Sequence, residues 1–233
     1  MAKPVCVVVG VGPGNGAALV KRYAAEGYAI AMLARSDDVG KALEKEIGGS
    51  RFYRCDVGDV AAVTATFATI SGDLGPVETL VYNAGSGLRG SITDISPADF
   101  EASWRINALG LLAASQAVLP AMQQKKQGSI IVIGATASRR GNIKTAAFAP
   151  AKAAQRSLAE AMAKQLWPQG IHIALIIIDG IVDIPRTRQL FQDKADDFFV
   201  RPEDVAETAF WLTRQPRSAW AFEVEARPFG ETW

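Results

Sequence analysis

Short apolar runs alternate along the chain with segments whose apolar residues recur every three or four positions. The short runs predict buried strands, and the amphipathic segments predict helices. Seven strands are predicted, at residues 5–9, 28–33, 51–57, 78–83, 129–135, 171–178 and 222–226. Helices are predicted after the first strand, at residues 37–47, around residues 60–70, from Ser96 to about Met122, and at residues 148–167 and 202–215. This alternation predicts an α/β fold: a single doubly wound parallel β-sheet of about seven strands, flanked by helices on both faces.

No repeat, low-complexity segment or linker interrupts the pattern, so residues 1–233 are predicted to form a single domain. The chain is 49% hydrophobic and 21% charged, with a net charge of +1. This balance gives no electrostatic reason to expect nucleic acid or a membrane as a partner. Cys6 and Cys55 both lie in apolar runs and are expected to be buried free thiols, as in a reducing compartment. Without a signal-peptide pattern or an apolar run of membrane-spanning length, the protein is expected to be cytoplasmic.

The first strand runs directly into a glycine-rich turn, and an amphipathic helix follows. The turn contains Gly10, Gly12, Gly14, Asn15 and Gly16. Two spacings overlap there, because Gly12, Gly14 and Ala17 approximate G-x-G-x-x-A, while Gly10, Gly14 and Gly16 form G-x-x-x-G-x-G. The free N–H groups and partial positive charge at a helix start bind pyrophosphate. We therefore predict a dinucleotide-binding turn; the alternative is a tight turn without a ligand.

The second and third strands are followed by polar residues that are expected to contact the cofactor. In doubly wound folds the second strand ends at the adenosine ribose, where an acid favours NAD and an arginine favours the phosphate of NADP. Here Arg35 comes first, and Asp37 and Asp38 follow in the next turn. We predict NADP(H) in preference to NAD(H); the alternative is that Arg35 is simply solvated. Asp56 and Val57 are predicted to line the adenine site, with Asp56 either accepting a hydrogen bond from adenine or capping the following helix.

Several motifs resemble the short-chain dehydrogenase/reductase family in their order and spacing. They are the glycines at 10, 14 and 16, the segment Tyr82-Asn83-Ala84-Gly85 after the fourth strand, Asn107 within residues 105–110, and the run at residues 117–122. The resemblance covers nearly the whole chain. It implies a Rossmann-like NAD(P)-binding domain with oxidoreductase activity, cofactor contacts from Asn83, Ala84 and Gly85, and an active-site role for Asn107.

The chain departs from the family at two active-site positions. Where the family has a tyrosine four residues before a lysine, this chain has Phe148 before Lys152, and where the family has a serine, this chain has Ala135. Phenylalanine cannot transfer a proton, and alanine cannot hydrogen-bond a substrate oxygen. The resemblance assigns Lys152 to the nicotinamide ribose and leaves Ala135 and Phe148 in the substrate pocket. Thr136 and Ser138 are candidate hydroxyl groups, unless both only cap a turn. The catalytic candidates are therefore Asn107, Lys152, Thr136 and Ser138.

The sixth strand is followed by Asp179-Gly180, where the family commonly has Pro-Gly. Gly180 is expected to let the backbone approach the nicotinamide, although the threonine that often follows is replaced by Ile184. Residues 181–199 are expected to form a substrate flap. Their mixture of charged and aromatic residues allows an acidic or amphipathic ligand, or simply a solvated helix. The only histidine, His172, opens the sixth strand at the opposite end and is expected to be structural.

Three functions remain open. The first is an oxidoreductase that acts on an unknown carbonyl or alcohol substrate through a rebuilt proton-transfer system. The second is a pseudoenzyme that binds NADP(H) as a sensor or scaffold, and the third is a lyase or dehalogenase on the same scaffold. The helices around residues 104–122 and 148–167 are apolar on more than one face, and the family pairs them across a two-fold axis. A homodimer or homotetramer is therefore expected, with a small-molecule substrate and no metal.

Overall fold

The computed structural model describes residues 3–231. Its strands are β1 (Val5–Val9), β2 (Ala29–Ala34), β3 (Ser50–Arg54), β4 (Val77–Tyr82), β5 (Gly128–Ala135), β6 (Ile171–Ile178), β7 (Ile181–Val182), β8 (Phe199–Val200) and β9 (Glu223–Ala226). Its helices are α1 (Asn15–Ala25), α2 (Asp38–Glu46), α3 (Val60–Leu74), α4 (Pro97–Trp104), α5 (Gly110–Lys125), α6 (Phe148–Leu166), α7 (Pro185–Leu190) and α8 (Pro202–Thr213).

Seven of these strands form one parallel sheet in the order β3-β2-β1-β4-β5-β6-β9. Successive side chains of a strand point to opposite faces. Val7 and Val9 accordingly pack into the core beneath α3, α5 and α6, whereas Cys6 and Val8 pack beneath α1, α2 and α8. Apolar side chains on both faces require a helical cover on both faces, which confirms the predicted fold class.

The strand order reverses at β1, whose two neighbours are β2 and β4. The connections after β1 and β4 therefore leave in opposite directions and open a crevice at the carboxyl ends of the two strands. Crevices of this kind hold the ligand in open α/β sheets. Among residues 3–231, no helix combines the length and the apolar composition that a membrane span requires.

The clearest departures from the hydrophobic pattern are in the third strand and in the long helix predicted from Ser96. The third strand stops at Arg54 and not at Val57, because Asp56 turns the chain by accepting a hydrogen bond from Gly58 N at 2.9 Å. The predicted helix from Ser96 to about Met122 is interrupted by a π turn at Arg105–Leu109. Apolar residues continue on both sides of this turn, so periodicity alone does not reveal it. Such turns are frequent at functional sites.

Candidate functional site

Gly10 and Asn83 join the carboxyl ends of β1 and β4. The φ angle of Gly10 is 90°, in the region that favours glycine. A Cβ at this position would lie only 2.5 Å from the main-chain nitrogen of Ala84. Asn83 Nδ2 donates a hydrogen bond to Gly10 O at 2.7 Å. The two predicted cofactor residues thus hold the floor of the crevice together.

Helix α1 begins beside this floor, and no side chain compensates the partial positive charge at its amino end. Its N-cap is Gly14, which makes no side-chain cap, and its first turn contains no acidic residue. The Oδ1 atom of Asn15 is buried there without a hydrogen-bond partner. A Cβ on Gly12 would meet nothing within 4 Å, whereas one on Gly16 would lie 2.6 Å from Gly10 O. The open backbone at Gly12 and the uncapped, positive end of the helix fit a pyrophosphate group.

A cavity of about 380 Å³, which we call the first cavity, opens above these strand ends. Its walls come from the glycine turn and from the segments that follow β2, β3 and β4. Most of the residues predicted to bind the cofactor line it, namely Gly10, Gly12, Arg35, Asp56, Val57, Asn83, Ala84 and Gly85. The fold therefore brings together residues that are up to 75 positions apart in the sequence, from position 10 to position 85.

Arg35 lies at the outer end of the first cavity, and Arg54 lies next to Arg35. Arg35 is exposed at its edge. Arg54 Nε donates to the main-chain oxygen of Arg35 at 2.9 Å, which brings the second side chain alongside. Asp37, the nearest acid in sequence, forms an ion pair with Lys41 at 3.1 Å, and the hydrogen bond with this lysine lowers the pKa of Asp37. Sequence reasoning missed Arg54, whose proximity follows from the pairing of β2 with β3.

Asp56 lines the first cavity, but it does not cap helix α3. Its Oδ1 atom accepts the hydrogen bond from Gly58 that turns the chain after β3. The cap is Asp59, whose Oδ1 accepts from Ala61 N at 2.9 Å. The structure therefore contradicts the alternative interpretation that Asp56 caps the helix.

Lys152 is buried under the crevice, on the first turns of α6. Its Nζ donates to Ile133 O and to Gln155 Oε1, both at 2.9 Å. No carboxylate is paired with this ammonium group in the described structure, and burial lowers the pKa of Lys152 to about 7. A lysine in this setting exchanges its proton near neutral pH. Gln155, which sequence reasoning missed, also donates from Nε2 to Asn107 O at 2.9 Å.

Asn107 lies in the π turn, and its side chain converges with Lys152 on Gly85. Asn107 Nδ2 donates to Ser103 O at 2.9 Å, while its Oδ1 atom is buried without a partner. A Cβ on Gly85 would lie 3.1 Å from this Oδ1 and 3.5 Å from Lys152 Nζ. The Asn107 amide oxygen and the Lys152 amine therefore both lie next to Gly85, at the edge of the first cavity.

A larger cavity of about 490 Å³, the second cavity, lies beyond the ends of β5 and β6. Four residues singled out in the sequence line it: Ala135, Thr136, Phe148 and Gly180. Phe148 is one helical turn before Lys152 on α6, as the four-residue spacing predicts. Neither Ala135 nor Phe148 offers a hydrogen-bonding side chain to the second cavity.

The two candidate hydroxyl groups differ in their surroundings. Ser138 Oγ donates to Ala135 O at 2.6 Å, within its own turn. Thr136 lines the second cavity, and its Oγ1 donates a short hydrogen bond to Asp179 Oδ1. Asp179, which also lines this cavity, is only 6% exposed. Sequence reasoning noted it only as a replacement for proline, although an acid directly after an apolar strand was the available signal.

The two ends of the segment expected to be a flap lie side by side, because β7 pairs with β8. Helix α7 lies between them, and Arg188 forms an ion pair with Asp183 at 2.6 Å. The side chain of Ile184 reaches the glycine turn, since a Cβ on Gly14 would lie 2.5 Å from its Cγ2. The segment therefore lies over the start of α1, next to the predicted pyrophosphate cradle.

His172 lies at the amino end of β6, away from both cavities. Its ring is stacked on Trp220 at 4.7 Å. Nδ1 faces Leu212 O at 3.1 Å, and Nε2 faces Ala221 O at 2.9 Å. Burial lowers the pKa of His172, although these two carbonyl groups oppose the effect. The residue connects β6 to the segments around α8 and β9.

The parallel sheet, the glycine turn and the crevice define a dinucleotide-binding α/β protein. The sequence profile of the family described as short chain dehydrogenase matches residues 4–195 of this chain. The chain belongs to this family of oxidoreductases.

Individual relatives match over nearly the full chain. Carbonyl reductase family member 4 of Xenopus laevis is 27% identical over 217 residues, covering 91% of this chain and 92% of that protein. A crystal structure of a short-chain dehydrogenase from Rhodopseudomonas palustris is 31% identical with a TM-score of 0.82, and covers 97% of this chain and 98% of its own. A metagenomic short-chain oxidoreductase in complex with NADP is 25% identical with a TM-score of 0.85, and 97% of each chain is covered.

Proposed function

We propose that the protein is an NADP(H)-dependent oxidoreductase that interconverts a small carbonyl compound and its alcohol. The observation that carries this proposal is the position of Lys152. Its Nζ lies close to Gly85, which lines the first cavity, and Phe148, one turn earlier on α6, lines the second cavity. A cofactor in the first cavity and a substrate in the second would therefore meet beside Lys152 and Asn107.

Residues 1–233 act in this proposal as one NAD(P)-binding domain. The pyrophosphate would be held at Gly12, Gly14 and Asn15, where α1 begins without a side-chain cap and without an acidic residue in its first turn. Lys152 would hold the nicotinamide ribose, as in the family, and Gly180 would allow the backbone to approach the nicotinamide ring. When bound, the cofactor supplies or accepts a hydride. The chain itself binds and orients the cofactor and the substrate, and it excludes water from the site.

The preference for NADP(H) rests on the charges at the end of β2. Arg35 borders the first cavity, Arg54 lies beside it, and Asp37 is engaged by Lys41. Two guanidinium groups favour the 2′-phosphate through charge-assisted hydrogen bonds. The metagenomic relative was solved with NADP, which supports the same choice.

The substrate would enter under the flap at residues 181–199. Ile184 reaches the glycine turn, so closure of the flap would cover both the cofactor and the substrate. Phe191 and Phe198 of this segment line the second cavity together with Arg89 and Arg140. These residues suit a small ligand with an apolar part and a polar or acidic part.

A titration of NADPH and NADH fluorescence, followed by a screen of matched carbonyl and alcohol substrates, tests the proposal. We expect saturable NADPH binding that is tighter than NADH binding, and turnover of at least one substrate pair. The absence of NADPH binding would refute the proposal. Binding without turnover would favour the alternative of a pseudoenzyme.

The pseudoenzyme alternative, in which the protein senses NADP(H) or scaffolds a partner, is favoured by one observation. Ala135 and Phe148 leave the second cavity without the hydroxyl groups that the family uses.

Under both functions we propose a homodimer or homotetramer formed through the helices near residues 104–122 and 148–167. Phe100 and Trp104 on α4 are 43% and 41% exposed, which supports an apolar contact there. Light scattering at micromolar concentration tests the assembly, and a monomer would contradict it.

A further inference from the structure

We propose that Thr136 and Asp179 together accept the proton of a substrate hydroxyl group when the protein oxidises an alcohol. This inference rests on the proposed function, because it takes the second cavity as the substrate site. It goes further by naming the pair of residues that accepts the proton. Neither residue is part of the family's tyrosine and serine positions, which Phe148 and Ala135 occupy here.

The carboxylate of Asp179 is held from both sides at the end of β6. Oδ1 accepts the hydrogen bond from Thr136 Oγ1, and Oδ2 lies 2.6 Å from Arg227 Nη2. The main-chain nitrogen of Asp179 also donates to Ala226 O at 2.9 Å, which fixes the backbone. Asp179 is therefore a buried, oriented base at the wall of the second cavity.

The hydrogen-bond partners of Thr136 decide which substrate group it can meet. Its Oγ1 donates to Asp179 Oδ1 and also lies 3.3 Å from Ile178 O. Both of these partners are acceptors only, so the hydroxyl hydrogen of Thr136 points away from a ligand and towards them. Its remaining lone pairs are available to the second cavity. Thr136 can thus accept a hydrogen bond from an alcohol, but cannot donate one to a ketone without losing Asp179.

The proton path follows from this arrangement. As the substrate's C–H bond breaks, its electron pair and hydrogen leave as hydride to an oxidised nicotinamide dinucleotide. The substrate's O–H proton passes to Thr136 Oγ1 while the hydroxyl proton of Thr136 passes to Asp179 Oδ1. The products are a ketone, the reduced dinucleotide and a neutral Asp179, which returns its proton to water.

Other charged groups surround this pair. Arg140 Nη2 lies 3.9 Å from Asp179 Oδ1, and Arg227 Nε also contacts Glu225, which in turn pairs with Arg139. The remaining charged residues that line the second cavity are Arg89 and Glu231. Asp179 therefore has two guanidinium groups near it and no carboxylate in direct contact in the described structure.

The test measures turnover with NADP⁺ on secondary alcohols, from 2-butanol and cyclohexanol to polyols, and with NADPH on the matching ketones. We expect turnover of at least one alcohol with NADP⁺. Asp179→Asn and Thr136→Val should each lower kcat for oxidation by about a hundredfold, the lower range of general acid–base effects. Thr136→Ser, which keeps the hydroxyl, should restore most of the rate. Calorimetry should show weaker alcohol binding to Thr136→Val.

Asp73→Asn serves as the matched control, because it changes another arginine-bound carboxylate to an amide, and Asp73 lines neither cavity. It should leave kcat unchanged. If Asp179→Asn and Thr136→Val retain full oxidation, the inference is overturned. NADPH binding without oxidation of any alcohol also overturns it, while leaving the cofactor assignment intact. Loss of NADPH binding would instead refute the proposed function.

Discussion

The side chain of Lys152 donates a hydrogen bond from Nζ to Oε1 of Gln155 at 2.9 Å. The same amide donates from Nε2 to Asn107 O, also at 2.9 Å. Both side chains are buried, so one amide group connects the lysine on α6 with the π turn between α4 and α5. A neutral amide has no proton to exchange at ordinary pH. Gln155 therefore orients Lys152 and Asn107 without relaying a proton between them.

The first prediction concerns this link. Gln155→Leu removes an acceptor from Lys152 and a donor from Asn107 O, and leaves both groups buried. Unsatisfied buried polar groups cost about 1–3 kcal/mol each, so we expect the free energy of unfolding to fall by at least about 1 kcal/mol. Urea unfolding followed by circular dichroism measures it. Gln165→Leu, on the exposed side of the same helix, is the control and should change the stability little.

The second prediction is a pH dependence of stability. Burial lowers the pKa of Lys152 from an ordinary value of 10.5 to about 7. Between these two values the unfolded chain binds a proton that the folded chain has released, so the stability rises with pH through this window. The gain is complete above the upper value and is lost as the pH falls through about 7. The slope can reach about 1.4 kcal/mol per pH unit.

Urea unfolding of the cofactor-free protein at pH 7, 8 and 9 measures this effect against Lys152→Met. Methionine has a similar length and does not titrate, so the unmodified protein should gain stability relative to the variant as the pH rises. Lys164→Met, at an exposed position of α6, is the control and should show no such trend. A stability difference between the protein and Lys152→Met that does not change with pH would contradict the buried setting of Lys152.

The third prediction concerns Arg35. Arg35→Ala removes a charge-assisted partner of the 2′-phosphate, a contact worth about 1.5–3 kcal/mol. The dissociation constant of NADPH should rise by about tenfold or more, while that of NADH stays nearly constant. Fluorescence titration at fixed salt measures both constants. Arg51→Ala on β3, whose side chain pairs with Asp73, controls for the loss of one positive charge. An unchanged preference would refute the role of Arg35.

The fourth prediction restores the family's missing groups. Phe148→Tyr alone adds a phenol close to Lys152, but Ala135 still supplies no hydroxyl. Phe148→Tyr combined with Ala135→Ser should raise the reduction of a diketone or quinone by about tenfold or more. NADPH oxidation followed by absorbance measures the rate. Phe100→Tyr, on the exposed surface of α4, should have no effect. If the pair abolished a strong native reductase activity, the assignment of Phe148 to the tyrosine position would be wrong.

The sequence by itself determined the parallel sheet, its helical cover and the glycine turn. These features depend on local properties: apolar runs that must be buried on both faces, and glycines that adopt the φ angle of Gly10 and leave the main chain open. The spacing of Phe148 and Lys152 likewise fixed their common helix face, because four residues complete about one turn.

The tertiary structure decided which side chains meet across the ends of the strands. The contacts of Arg54 with Arg35, of Gln155 with Asn107 and of Asp179 with Thr136 join segments 19, 48 and 43 residues apart, respectively. Periodicity encodes how deeply a residue is buried, but it does not encode the partner on a neighbouring strand or helix. Hydrogen bonds form only where packing brings a donor to an acceptor. For this reason Thr136 and Ser138 look alike in the sequence, while only Thr136 lies beside a carboxylate in the second cavity.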